Sequence, residues 1–151
     1  MKRLLTIVLL STVQVGVLFG QPTAADKTVH FRTVDVYVDS KTQPLAAYQL
    51  ELSVKRGDAK IVGIEGGQHP AFKEAPFYDP KAIQQERVVI AAFNTASADK
   101  LPKGRTRVAT IHVQITGDLK PEYVAKLMTA GTVDGKQISA EVTFEERKPN
   151  E

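Results

Sequence analysis

Cysteine is absent from the 151 residues. That excludes thiolate catalysis, disulfide stapling, Cys-ligated zinc and lipid attachment at a cleavage-site cysteine, so the fold must be stabilised by its core alone. Tryptophan is also absent, and aromatic residues make up only 7% of the chain. The three histidines, His30, His69 and His112, have no histidine partner at i+2 or i+4, and no metal site is expected from them. Ser11, Ser40, Ser53, Ser97 and Ser139 lack the strand-to-helix elbow that activates a nucleophilic serine. Gly63, Gly66 and Gly67 precede no helical pattern that would complete a phosphate loop. The carboxylates Glu51, Glu65, Glu74, Asp79 and Glu86 form no recognisable acid/base pair in sequence. Asp35, Asp39 and Asp79 supply hard oxygen ligands of the kind calcium takes, without the glycine-punctuated acidic loop that makes such a signal specific. The chain therefore reads as a non-enzyme with no cofactor.

One-signed charge is missing as well. Lys and Arg number 20 against 17 Asp and Glu, a formal net charge of +3. Lys2 and Arg3 stand in the first residues, and without them the rest carries +1. Interspersed, near-neutral charge gives no footprint for nucleic acid, and no nucleic-acid partner is expected.

The one long apolar run lies at the start. Lys2 and Arg3 precede Leu4–Leu10, a polar interruption at Ser11, Thr12 and Gln14, and a return through Val15–Phe19. A basic end followed by an apolar stretch is the pattern of a secretory signal. Residues 1–25 are read as a signal peptide, cleaved after Gly20 or Ala25, with an uncleaved anchor as the alternative. The expected destination is extracytoplasmic, secreted or periplasmic, with no membrane attachment once the signal is removed.

From residue 26 to residue 146 the sequence reads as one domain without a linker, followed by a polar tail at 147–151. Period-two alternation dominates it, which marks strands with one face toward a core. Val34, Val36 and Val38 alternate with Asp35, Tyr37 and Asp39. Tyr48, Leu50, Leu52 and Val54 oppose Ala47, Gln49, Glu51 and Ser53. A third strand spans Lys60–Ile64, and the proline-bearing stretch Gln68–Glu86 is expected to be a long surface loop. The apolar run Arg87–Phe93 predicts a central strand covered on both sides. Ala109, Ile111, Val113 and Ile115 are expected to face inward, with Val108, Thr110, His112, Gln114 and Thr116 outward. Asp134 and Gly135 suggest a tight type I′ turn closing a hairpin between Tyr123–Val133 and Lys136–Glu145, with Ile138, Ala140, Val142 and Phe144 inward. Pro121–Met128 is an alternative short helix. Many short strands with no long amphipathic helix predict an all-β sandwich or barrel.

The segment Tyr48–Gly67, an alternating strand, a turn and a second strand carrying Ile61-Val62-Gly63-Ile64, resembles the cohesin modules of bacterial extracellular assemblies. Arg87–Phe93 resembles their apolar central strand, Gly104–Gly117 their glycine-led strand, and Thr132–Glu145 their closing segment. The resemblance implies a jelly-roll β-sandwich of about eight to nine strands, a fold shared with some cellulose-binding modules. It also implies a binding function, most directly protein–protein interaction in an extracytoplasmic assembly. Two positions depart from the family: Val54-Lys55-Arg56 stands where cohesins have a Tyr-Asp-Pro turn, and Ala47 and Gln49 stand where they present Asn and Asp to dockerin. A dockerin-type partner is not expected on that account. The residues read as a solvated sheet face for a partner protein are Gln49, Glu51, Thr110, His112, Gln114, Glu141 and Thr143. The alternative is a carbohydrate-binding module, with a polysaccharide ligand stacked on the loop aromatics Phe77 and Tyr78.

Overall fold

In the computed structural model, residues 27–147 are described. The expected signal peptide lies outside them, as do residues 148–151 of the expected tail; Arg147, its first residue, is strand. The described chain forms eight strands: β1 Val29–Asp39, β2 Ala47–Arg56, β3 Ala59–Gly66, β4 Phe77–Tyr78, β5 Arg87–Phe93, β6 Arg105–Thr116, β7 Glu122–Gly131 and β8 Glu141–Arg147. They make two four-stranded sheets, a first of order β3-β6-β1-β8 and a second of order β4-β5-β2-β7. Every ladder is antiparallel. The chain crosses between sheets at each step except β4 to β5, which yields the expected all-β sandwich.

The core follows the period-two reading. Val34, Val36 and Val38 of β1 meet Leu50 and Leu52 of β2, Ile90 of β5 and Ile111, Val113 and Ile115 of β6, all essentially fully buried. With no disulfide, burial of these side chains supplies the stabilisation, at about 1.5–3 kcal/mol for each large aliphatic.

At one place in β6 the alternation is broken, and the break matters. The β1–β6 register runs Val36↔Ala109 and then Tyr37↔Arg107, so Val108 is an extra residue, a β-bulge. Without it, the phase that buries Ala109, Ile111 and Val113 would also drive Arg107 and Arg105 into the core. With it, Val108 joins Ala109 inside, both fully buried, and the two arginines pair with the outward residues Tyr37 and Asp39. Val108 was expected outward with Thr110, and the bulge is what reverses it. Its carbonyl accepts a 3.1 Å hydrogen bond from the Tyr48 hydroxyl across the sandwich. Burial pushes that hydroxyl well above its ordinary pKa, and the Tyr48 ring meets Phe72 edge-on at 5.3 Å.

Three further expectations are corrected. Tyr123–Val133 and Lys136–Glu145 are not one hairpin, because β7 belongs to the second sheet and β8 to the first; only the bridge Gly131↔Gln137 joins their ends. The turn is also not type I′, since only Gly135 takes positive φ (79°), and Thr132 N–H bonds Lys136 C=O around it. Pro121–Met128 is strand rather than helix: Tyr123, Ala125 and Leu127 turn inward with period two, then an irregularity around Met128 brings Ala130 into the core. The stretch Gln68–Glu86 is more structured than a bare loop. It holds two short 3-10 turns and β4 and is pinned by buried Phe72; Gly67, just before it, lies so close to β6 that a Cβ there would be 2.0 Å from the Arg107 carbonyl oxygen.

These faces make a sharp prediction. Ile111→Asp places an unpaired carboxylate in the core and should cost about 4 kcal/mol or more, a large part of the stability of a domain this size. Gln114→Asp, on the outer face of the same strand, should change stability by less than about 1 kcal/mol. Thermal melts of the two variants read the difference, and equal melting temperatures would contradict the assignment of faces.

Candidate functional site

The seven residues read as one partner-binding face do not share one. Thr110, His112, Gln114, Glu141 and Thr143 belong to the first sheet, Gln49 and Glu51 to the second. Outward residues of the two sheets of a sandwich look in opposite directions, so no single partner surface joins them. Sequence alternation assigns each residue to inside or outside, and it carries no information on which of two outsides.

On the first sheet the outer face carries an electrostatic network centred on Asp35, with Phe31 standing 63% exposed toward the start of β1. Asp35, 7% exposed, takes a forked pair of bonds from Arg147 Nη2 at 2.7 and 2.8 Å, one from Thr110 Oγ1 at 2.8 Å, and a longer contact from Arg107 Nη1 at 3.5 Å. Burial alone would raise the Asp35 pKa; the bonds from Arg147 and Thr110 and the charges of Arg147 and Arg107 outweigh it and hold the carboxyl below its ordinary range. Thr110 is thereby consumed internally and is not presented to a partner. Arg105 lies 3.5 Å over the Tyr37 ring and bonds Glu145 at 2.7 Å. His112 Nε2 stands 3.0 Å from Glu65 Oε1, and Glu141 receives Lys41 Nζ at 3.3 Å. The aspartates weighed as calcium ligands disperse: Asp35 to Arg147, Asp39 to Lys41, and Asp79 to the backbone of Lys81. Among the described residues no group of three or more His, Asp or Glu side chains is arranged to hold a metal.

On the second sheet the outer face is different in kind. Ala47, Gln49 and Glu51 of β2 pair with Phe93, Ala91 and Val89 of β5. On the other side Gln49 and Glu51 pair with Thr129 and Lys126 of β7. Phe77 of β4 lies opposite Ala91. The expectation that β5 is covered on both faces fails here, because Val88 and Ile90 are buried whereas Phe93 is 64% exposed. Phe77 is 70% exposed, and its ring runs nearly parallel to that of Phe93, 13° apart with centroids at 6.1 Å. Tyr78, named with Phe77 as a sugar-stacking candidate, turns inward against the core. A shallow hollow of 590 Å³ lies beside Phe77, between Gln49, Val89, Ala91 and Lys81. The charges at its end are spent on each other, since Arg87 Nη2 bonds Glu51 Oε2 at 2.6 Å and holds that carboxyl below its ordinary range. Sequence reading missed Phe93, although its parity with Val89 and Ala91 places it outside once one face of β5 is known to be open.

The Asp35 cluster predicts a pH dependence. A carboxyl with a lowered folded-state pKa contributes stability that is present above its unfolded value, near 4, and lost as pH falls through the folded value. Urea unfolding between pH 7 and pH 2 should show this acid loss, and Asp35→Asn should flatten it. Arg147→Ala should destabilise at pH 7 by about 2 kcal/mol, the worth of charge-assisted bonds to a covered carboxylate, and by much less at pH 2. An acid limb identical in Asp35→Asn and the parent chain would contradict the account.

Comparison with models of protein families, with curated proteins and with solved structures finds no match to this chain.

Proposed function

We propose that the chain is an exported, non-catalytic binding module, cohesin-like in character, that docks a partner protein of an extracytoplasmic assembly on the outer face of its second sheet. The observation that carries this is the pair of exposed phenylalanines, Phe77 and Phe93, on a sheet face that also carries Ala47, Gln49, Glu51, Val89, Ala91, Lys126 and Thr129. Large apolar rings held in water on a rigid strand face mark interaction surfaces, because their burial yields free energy while the ladder has already restricted their motion. The first sheet differs: Asp35, Arg105, Arg107, Arg147 and Glu145 are bound to one another, so a partner docking over them would have to displace existing ion pairs, and its one strongly exposed ring, Phe31, has no aromatic neighbour among the described residues. Gln49 and Glu51 keep a place in the site, whereas Thr110, His112, Gln114, Glu141 and Thr143 do not. Export rests on the N-terminal pattern Lys2-Arg3 followed by Leu4–Phe19. No helix of the described residues is long and apolar enough to cross a membrane.

A carbohydrate reading keeps one specific support, the nearly parallel rings of Phe77 and Phe93, on which a sugar face could stack. It shifts the expected pair from Phe77 and Tyr78 to Phe77 and Phe93.

Phe93→Glu together with Gln49→Arg should abolish recovery of the partner from an envelope extract while leaving the melting temperature within a few degrees of the parent. Gln114→Arg on the first sheet should leave recovery intact. Equal recovery by all three chains would refute the docking face, and retention on a glycan array that disappears in Phe77→Ala would move the assignment to carbohydrate.

A further inference from the structure

A hollow of 760 Å³ lies at one end of the sandwich, away from both sheet faces. One wall is the β1–β2 turn with Ser40, Lys41 and Pro44, and the other is the β7–β8 crossover with Val133, Gln137 and Ser139. The turn is held firmly. Ser40 N–H bonds Gly104 C=O at 3.2 Å, Gly104 N–H bonds Lys41 C=O at 2.7 Å, and Leu45 N–H bonds Pro102 C=O at 2.9 Å. Lys41 is kept at a φ of 56°, a strained value for a residue with a Cβ, by the Asp39 carboxylate that accepts its N–H at 2.9 Å.

Across the hollow, the crossover has an open backbone edge. Gly131 and Gln137 form a bridge flanked by two bonds, Ile138 N–H to Ala130 C=O and Thr132 N–H to Lys136 C=O, both at 2.9 Å. In that arrangement the bonds belong to the neighbours of the bridged pair, and the N–H and C=O of Gln137 itself project from the opposite edge. Neither Gln137 nor Ser139 makes a hydrogen bond, through backbone or side chain, to another described residue. An unpaired strand edge beside an apolar hollow is a template for an added strand.

The charge pattern decides what kind of strand. Lys41, Asp134 and Lys136 are the charged residues of the lining. Lys136 Nζ bonds Asp134 at 2.8 Å, and Lys41 Nζ bonds Asp39 at 3.0 Å and Glu141 at 3.3 Å. Each charge of the lining already has a partner, so a charged ligand would have to compete with an existing ion pair, whereas a neutral one would not. The apolar part of the lining, Pro44, Ala98, Val133 and Ile138, is aliphatic throughout, so a sugar ring has no aromatic face to stack on, whereas a branched aliphatic side chain has a fitting surface.

We propose that this hollow takes an extended, uncharged segment of a partner polypeptide, paired with the backbone of Gln137 and Ser139 and placing an aliphatic side chain between Pro44, Val133 and Ile138. The site is separate from the second-sheet face and does not rest on it.

The test is an amide-resolved NMR titration of the full isotope-labelled chain with a blocked hexapeptide alternating serine and valine. Shifts should be confined to Ser40–Pro44 and Thr132–Ser139, and should persist in Phe93→Glu. Gln137→Pro removes an N–H that has no internal partner, so it should melt like the parent yet bind the peptide about tenfold more weakly, the worth of one hydrogen bond. Val133→Asp should weaken binding at least as much, and a hexapeptide with glutamates in place of serines should bind less well than the neutral one. The proposal is overturned if the neutral peptide moves no amide in these segments at millimolar concentration, if both variants bind it as the parent does, or if cellohexaose moves the same amides instead.

Discussion

The single extra residue at Val108 is the constraint on which the arrangement of this sandwich depends. A strand twelve residues long, β6, carries valine and isoleucine at odd positions toward its end and arginine at odd positions toward its start. A regular strand cannot hold both sets on acceptable sides, since burying unpaired guanidinium groups costs several kcal/mol each. The bulge changes phase between them. It leaves the Val108 carbonyl inside the sandwich, where the Tyr48 hydroxyl from the other sheet accepts the role of its partner. Tyr48 in turn rests on Phe72, which anchors the segment leading to β4. One local irregularity thus sets which way Arg105 and Arg107 face and supplies the carbonyl through which Tyr48 bonds across the sheets.

The two outer faces diverge as a consequence. With Arg105 and Arg107 turned outward, the first sheet gathers cations beside Asp35, Glu145 and Tyr37, and Arg147 near the end of β8 completes the set. That network ties the last strand to β1 through side chains as well as backbone. Such a face gives specificity to the fold and little to a partner, because its charges are already matched. The second sheet receives no comparable ion network over its middle. Ala47 and Ala91 present small side chains there, and two phenylalanines stand exposed toward its β4 edge. Binding surfaces of this type work through a few rigid anchors in a surround that excludes water.

The end of the sandwich follows a third logic. Because β7 and β8 lie in different sheets, the chain between them must cross over, and a crossing segment cannot keep both backbone edges paired. Gln137 shows the result, with its neighbours bonded to β7 and its own amide turned away. The open edge is therefore a by-product of topology, located where the turn after β1 supplies a second wall.

Period-two alternation in the sequence was enough to determine that the protein is all-β, a sandwich or a barrel, and which residues of β1, β2 and the body of β6 form its core, because burial of every second side chain leaves its mark directly on the order of apolar and polar residues. The apolar run Arg87–Phe93 located β5, and a short run ending at Gly66 and Gly67 located most of β3. What alternation cannot carry is phase after a bulge, so Val108 is assigned to the wrong face. It cannot say which of two sheets a strand joins, so Gln49 and Glu51 were grouped with Thr110, His112 and Gln114 across the full thickness of the core. Nor does an apolar run distinguish a strand covered twice from one that leaves Phe93 in water. Those decisions belong to tertiary structure: strand pairing is set by contacts between residues far apart in the chain, and the surfaces on which function rests exist only once that pairing is made.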